Sequence, residues 1–151
     1  MELILWRHAE AEDSAPDHER RLTERGHRQA RAMAAWLKPR LPKGYRMLVS
    51  PAVRTQQTAR ALSKDFDTRD EVGVGVTAKS VLQAAGWPTA SGCCLVVGHQ
   101  PTLGMVASQI LCGVTDGLTV KKSGIWWFEA SAGKIVLRAS LTPDMLDGDD
   151  L

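Results

Sequence analysis

Residues 3–8 read Leu-Ile-Leu-Trp-Arg-His, a short apolar run that ends in a cation and an imidazole. Consecutive apolar residues of this kind are typical of a strand buried on both faces of a parallel sheet. Two further short apolar runs follow along the chain, Met47–Val49 and Leu95–Val97. Helical patterns separate the three runs, so the sequence predicts an α/β fold with right-handed connections.

Caps and breakers give the bounds of the predicted helices. Thr23 has the residue type of an N-cap, and Pro39 ends the apolar periodicity that follows it. Ser50 and Pro51 have the types of a cap and a first helical residue. Four helices are predicted in this way, at 23–38, 50–63, 77–85 and 101–112, and each of the last two ends before a glycine.

The rest of the chain completes the predicted fold class. The region 65–76 has weak patterns, with a short strand near Val72 as its one suggested element. Residues 125–130 and 135–140 predict an antiparallel hairpin, and the acidic tail at 147–151 is expected to fray. The expected fold is a three-layer α/β/α sandwich with a mostly parallel central sheet and a C-terminal antiparallel hairpin.

Composition excludes several classes of protein. The chain has 151 residues, with 19 basic and 17 acidic side chains and a net charge of +2, so charge gives no reason to expect a nucleic-acid partner. No apolar segment reaches the roughly 18 residues of a membrane span, and the N-terminus does not read as a signal peptide. Cys93, Cys94 and Cys112 suit neither a disulfide framework nor a zinc site. We therefore expect a cytoplasmic protein with no membrane partner, and nothing in the sequence requires more than a monomer.

Cationic and imidazole side chains follow all three predicted strands. Arg7 and His8 end the first, Arg54 lies one turn into the helix after the second, and His99 follows the third. Because the carboxyl ends of parallel strands meet at one edge of a sheet, these side chains are expected to lie together. Guanidinium groups match phosphate oxygens, and a bound anion would explain a cation near a helix N-terminus. Two arginines would repel a metal ion, so no metal site is predicted.

Each of these residues, taken alone, is more often structural than catalytic. A single histidine after a strand is usually structural or exposed, and the site prediction therefore depends on the convergence. An imidazole that donates one nitrogen to a fixed acceptor can attack phosphorus with the other. Arg7, Arg54 and a protonated His99 would then neutralise the phosphoryl charge.

Four segments, in order, resemble the histidine phosphatase superfamily, which includes the cofactor-dependent phosphoglycerate mutases. They are residues 5–11, 21–30, 50–59 and 97–101. The chain is most similar to the small bacterial phosphohistidine phosphatases of that superfamily, over residues 2 to about 112. The resemblance implies a phosphoglycerate mutase-like fold with no metal or organic cofactor. It also implies that His8 is the nucleophile, that Arg7, Arg54 and His99 bind the phosphoryl group, and that Gly26 and Gln29 belong to a supporting helix motif.

The general acid of the larger family members has no convincing match here. Those members contribute a carboxylate between the equivalents of Arg54 and His99. The candidates that stay open in this chain are Asp65, Asp67, Asp70, Glu71, Glu10 and Asp13. The small phosphohistidine branch typically lacks this acid, since a phosphoramidate is easily protonated before cleavage.

The short stretch between Arg54 and His99 also leaves no room for the insertions that cover the pocket of larger members. We therefore expect residues 1–151 to form a single histidine phosphatase domain without a cap domain. The expected function is a phosphatase that removes phosphate from phosphohistidine on a signalling or phosphotransfer protein. Two alternatives stay open: a general phosphomonoesterase for a small metabolite, and a phosphate- or phosphoprotein-binding module with vestigial catalysis.

Overall fold

The computed structural model describes residues 1–147, and the tail expected to fray lies, from residue 148 onward, outside the described residues. Within residues 1–147 six strands form one sheet, in the order β3-β2-β4-β1-β5-β6. The strands are β1 (Glu2–Arg7), β2 (Arg46–Val49), β3 (Asp67–Thr68), β4 (Cys93–Gly98), β5 (Ile125–Ser131) and β6 (Lys134–Leu141). The pairs β1–β4, β2–β4 and β2–β3 are parallel, whereas β5 runs antiparallel to β1 and β6. The α/β class, the largely parallel centre and the antiparallel hairpin are therefore confirmed.

Helices cover both faces of the sheet. They are α1 (Glu24–Leu37), α2 (Val53–Arg60), α3 (Ala78–Ala85), α4 (Thr102–Cys112) and the short α5 (Asp144–Asp147). Alternate side chains of β1 point to opposite faces, so Leu5 packs with buried residues of α3 and α4. Trp6 packs on the other face, with buried residues of α1 and α2. This alternation produces the three layers, with a large apolar core on each face of the sheet.

Several predicted helix signals act as expected. Thr23 Oγ1 accepts a hydrogen bond of 2.9 Å from the backbone N–H of Gly26, which satisfies a free donor at the start of α1. Gly86 and Gly113 follow α3 and α4 with φ of 77° and 75°, in the left-handed region that favours glycine. Gly26 has a different role, because a Cβ there would lie 2.0 Å from the carbonyl oxygen of Glu10. The absence of a side chain lets α1 approach the segment after β1.

The predicted start of the second helix and the predicted strand near Val72 are wrong. The helix expected from Ser50 begins at Val53, and its N-cap, Ala52, makes no side-chain hydrogen bond. Ser50 instead uses its hydroxyl in a hydrogen bond with His99, so a tertiary partner replaces the local cap. The strand expected near Val72 is a 3-10 turn at Asp70–Val72, whose buried Val72 packs into the core on the α3–α4 side. The strand of this region is the two-residue β3.

No helix among the described residues is long and apolar enough to cross a membrane.

All three cysteines are free thiols. Cys93 and Cys94 are buried in β4, and Cys112 is exposed at the end of α4. Burial raises the pKa of Cys93 to about 12 and that of Cys94 to about 11, so neither is a reactive thiolate at neutral pH.

Candidate active site

The parallel pairing of the central strands brings the predicted side chains together. Arg7 of β1 lies opposite Gly98 of β4, and the backbone N–H of His8 donates to the Gly98 carbonyl at 3.1 Å. His8 and His99 therefore leave adjacent strands at the same edge, and their ring centroids lie 5.4 Å apart. Arg54 reaches this edge from α2, and its side chain is only 5% exposed. The convergence predicted from the sequence is present.

The orientation of His8 is set by its own backbone neighbour. Its Nδ1 lies 2.8 Å from the carbonyl oxygen of Ala9, which can only accept, so Nδ1 carries the proton. Nε2 is then the unprotonated nitrogen. Burial lowers the pKa of His8 to about 3, against the opposing effect of the Ala9 hydrogen bond, and the charges of His99 and Arg54 lower it further. The ring is therefore neutral at pH 7, the form in which an imidazole can attack phosphorus.

Thr58 holds the acceptor of that hydrogen bond in place. Its Oγ1 accepts from the backbone N–H of Ala9 at 3.0 Å and donates to the carbonyl of Arg54 at 2.8 Å. Helix α2 thus positions both Arg54 and, through Ala9, the ring of His8. The sequence analysis assigned Thr58 no role; its place inside the motif at 50–59 was the one available signal.

Asp17 is a site residue that the sequence analysis missed. The Arg54 guanidinium donates to the Asp17 carbonyl at 2.8 Å and to its carboxylate at 3.1 Å. Burial opposes ionisation of this carboxyl, but the hydrogen bond and charge of Arg54, together with Arg20, outweigh it and hold the pKa below its usual value. Asp17 is therefore ionised at neutral pH. No local pattern marks it, because 37 residues separate it from Arg54.

His99 is neutral in the protein alone. Burial lowers its pKa to about 4, with a further contribution from Arg54, although the charge of Asp17 opposes both. The protonated His99 expected beside a phosphoryl group is therefore not the form that the protein has on its own. The physical reason is that the burial and the neighbouring guanidinium both disfavour a second positive charge. A bound phosphate would add negative charge beside the ring and raise the pKa again.

Unpartnered buried nitrogens lie on three residues of the cluster. Among the described residues, three buried side-chain nitrogens have no hydrogen-bond partner: Arg7 Nε, Arg54 Nε and His99 Nδ1. Buried polar groups in proteins are nearly always paired, so each such atom needs an explanation. The three belong to the residues that the sequence analysis assigned to phosphate. A group with several acceptor oxygens beside His8 would satisfy them.

The candidate acids from the sequence lie in different surroundings. The Glu10 carboxylate accepts from Thr23 Oγ1 at 2.9 Å and lines a groove that also contains Arg7. Glu71 pairs with Arg69 at the surface, with 3.1 Å between carboxylate oxygen and Nε. The other four candidates are exposed residues: Asp13, Asp65, Asp67 and Asp70. Asp17, whose carboxylate accepts a hydrogen bond from Arg54 of the cluster, was not among the candidates.

No group of three or more His, Cys, Asp or Glu side chains within residues 1–147 is arranged to hold a metal ion. The cluster beside His8 is instead rich in N–H donors, with two guanidinium groups and an imidazole. Such a donor set suits an anion, because guanidinium groups pair with oxyanions and repel cations.

Comparisons with known proteins agree with this geometry. Residues 3–75 match the family model described as histidine phosphatase superfamily (branch 1). The chain is 32% identical over 126 residues to a phosphohistidine phosphatase SixA homolog from Haemophilus influenzae, covering 73% of this chain and 77% of the relative. It is 30% identical over 126 residues to the phosphohistidine phosphatase SixA of Escherichia coli, covering 76% and 77%. A solved structure of the protein histidine phosphatase SixA with tungstate superposes with a TM-score of 0.75 at 25% identity, covering 97% of this chain and 100% of that one.

Proposed function

This chain belongs to the histidine phosphatase superfamily and is a phosphatase, and from that premise we propose that it removes phosphate from phosphohistidine on a signalling or phosphotransfer protein. His8 is the nucleophile in this proposal, and Arg7, Arg54 and His99 bind the phosphoryl group. The observation that carries it is the set of three unpartnered buried nitrogens around a neutral imidazole of fixed tautomer.

In the first step, Nε2 of His8 forms a bond to phosphorus while the N–P bond of the substrate breaks. The substrate ring, protonated on its far nitrogen beforehand, leaves as neutral histidine. The free N–H groups of Arg7 and Arg54 meet the charge that develops on the phosphoryl oxygens. His99 is the third residue of the proposed phosphoryl site, and its unpartnered Nδ1 contacts the phosphoryl group.

In the second step, a water oxygen forms a bond to phosphorus, and the electron pair of the Nε2–P bond returns to His8. The water proton passes to solvent, and phosphate leaves. Because Nδ1 keeps its proton against the Ala9 carbonyl, phosphorylated His8 is an imidazolium. Its positive charge makes the ring a good leaving group, so the same hydrogen bond serves both steps.

Two observations favour phosphohistidine over a phosphate ester as the substrate. An alkoxide leaving group needs a general acid, whereas a protonated phosphoramidate does not. Asp17, the carboxylate in contact with the cluster, has a lowered pKa and holds no proton to donate at neutral pH. The two curated relatives named phosphohistidine phosphatases support the same substrate class. The proposal includes a single domain without a cap, which would let a side chain on a protein surface reach His8.

The test is turnover of a phosphohistidine-bearing phosphotransfer protein in the presence of a metal chelator. We expect turnover by the wild type, none by His8→Ala and unchanged turnover by His27→Ala, a matched substitution of a histidine on α1 outside the cluster. Activity that survives in His8→Ala would contradict the proposal that His8 is the nucleophile. Turnover of phosphate esters but not of phosphohistidine would contradict the proposed substrate.

A further inference from the structure

A groove of about 480 Å³ opens directly beside Arg7. Its charged lining consists of Arg7, Arg25, Lys121, Lys122, Glu10 and Asp144. Four cations thus face two anions, although the whole chain is nearly balanced in charge. Of this set the mechanism above uses only Arg7, which the groove shares with the proposed phosphoryl site. Arg25, Lys121 and Lys122 line the groove beside it and take no part in that mechanism.

The two lysines lie in a segment that is fixed to the site itself, residues 119–124, which we call the clamp loop. The Arg7 side chain donates to the Val120 carbonyl at 2.9 Å, and the Arg7 backbone N–H donates to Gly124 at 3.1 Å. The backbone N–H of Ser123 donates to the His8 carbonyl at 3.0 Å. Three hydrogen bonds therefore tie the backbone of the clamp loop to Arg7 and His8, so the backbone that carries Lys121 and Lys122 is held beside these two residues.

Two of the remaining cations, Arg25 and Lys122, share one carboxylate, that of Glu10. The Glu10 carboxylate lies 3.4 Å from Arg25 and 3.8 Å from Lys122, and one carboxylate cannot neutralise two cations. Arg25 and Lys122 are half exposed, at 50% and 51%, so both can turn towards a second anion. Lys121 lies close enough to help lower the pKa of Asp144, after the larger effect of the Thr142 hydrogen bond.

Building on the phosphohistidine activity proposed above, we propose that this groove binds acidic side chains that flank the phosphohistidine of the protein substrate. The excess of cations selects for carboxylates, and the fixed clamp loop sets where they lie relative to the transferred phosphoryl group. Exposed, mobile cations at a rim attract and orient a partner rather than hold it tightly. A small metabolite would instead need an enclosed, mostly apolar pocket. The lining thus favours a protein segment.

The test uses phosphohistidine peptides that differ only in their flanking residues, which are glutamate, glutamine or lysine. We expect the wild type to prefer glutamate flanks over glutamine flanks by about tenfold in kcat/KM, mainly through KM, with the preference shrinking as salt is added. The double variant K121E/K122E should reverse the order and favour lysine flanks. The matched control K79E/K134E makes the same change in net charge on exposed lysines outside the groove and should keep the wild-type order.

Reversal in K121E/K122E is the decisive result, because a merely structural defect would lower all three rates without exchanging their order. Absence of a flank preference in the wild type, or a preference that survives K121E/K122E, would overturn the assignment of the groove. Equal effects in K79E/K134E would attribute the preference to overall charge and overturn it as well. Failure of the wild type on every phosphohistidine peptide, with ester turnover intact, would instead overturn the proposed function and the inference that builds on it.

Discussion

The two buried histidines predict that mild acid destabilises this protein. Unfolded histidine has a pKa near 6.5, whereas His8 titrates at about 3 and His99 at about 4 in the folded chain. Because both folded pKa values are lowered, the stabilisation is fully present above pH 6.5 and is lost as the pH falls, when only the unfolded chain takes up the protons. Between pH 7 and pH 5 each histidine should cost about 2 kcal/mol of unfolding free energy, so the pair costs about 4 kcal/mol.

Urea denaturation at pH 7, 6 and 5, in a buffer without phosphate or sulfate, measures this loss. The double variant H8Q/H99Q should lose most of the pH dependence, and H27Q should keep it. Phosphate in the buffer should oppose the loss in the wild type, because an anion beside the rings stabilises the folded state and their protonated forms. Equal slopes for wild type and H8Q/H99Q over this range would refute the reasoning, since some other group would then carry the titration.

Four substitutions test other parts of the site. Thr58→Val leaves the buried Ala9 N–H without a partner and should cost about 1–3 kcal/mol in urea denaturation and lower kcat, while Thr58→Ser restores both; wild-type behaviour of the valine variant would contradict the positioning role. Arg54→Ala should lower kcat about 10²–10³-fold in a turnover assay, and near wild-type rates would mean that the phosphoryl site lies elsewhere. Asp17→Asn removes a negative charge beside Arg54 and should tighten competitive inhibition by phosphate about two- to fivefold, whereas weaker inhibition would show that the charge positions the arginine. Gly26→Ala forces a Cβ against a backbone carbonyl and should cost about 1–3 kcal/mol by the same denaturation assay, and unchanged stability would mean that helix α1 can shift freely.

The local sequence pattern was enough to predict those elements that can pack in only one way. The apolar run of β1 has to be buried on both faces, and parallel strands of that kind end at a common edge, so the meeting of His8 and His99 could be expected from their positions alone. Thr23 could be recognised as a cap because its bond to Gly26 lies within one helical turn. Arg54 could be placed at the same edge because it lies in the first turn of the helix that follows β2.

Contacts between distant residues could not be found in this way. Ser50 looks like a cap, yet in the folded chain its hydroxyl is closer to His99 than to a helix N-terminus, and α2 begins later for that reason. Asp17 and the clamp loop carry no local signal, because their partners at the site lie far along the sequence. The sequence by itself therefore determined the sheet, its functional edge and the residues at the ends of its strands, since these depend on periodicity and burial. The tertiary structure alone decided the neutral state of His99, the carboxylate on Arg54 and the basic groove, since hydrogen-bond partners, desolvation and charge proximity exist only once distant segments pack together.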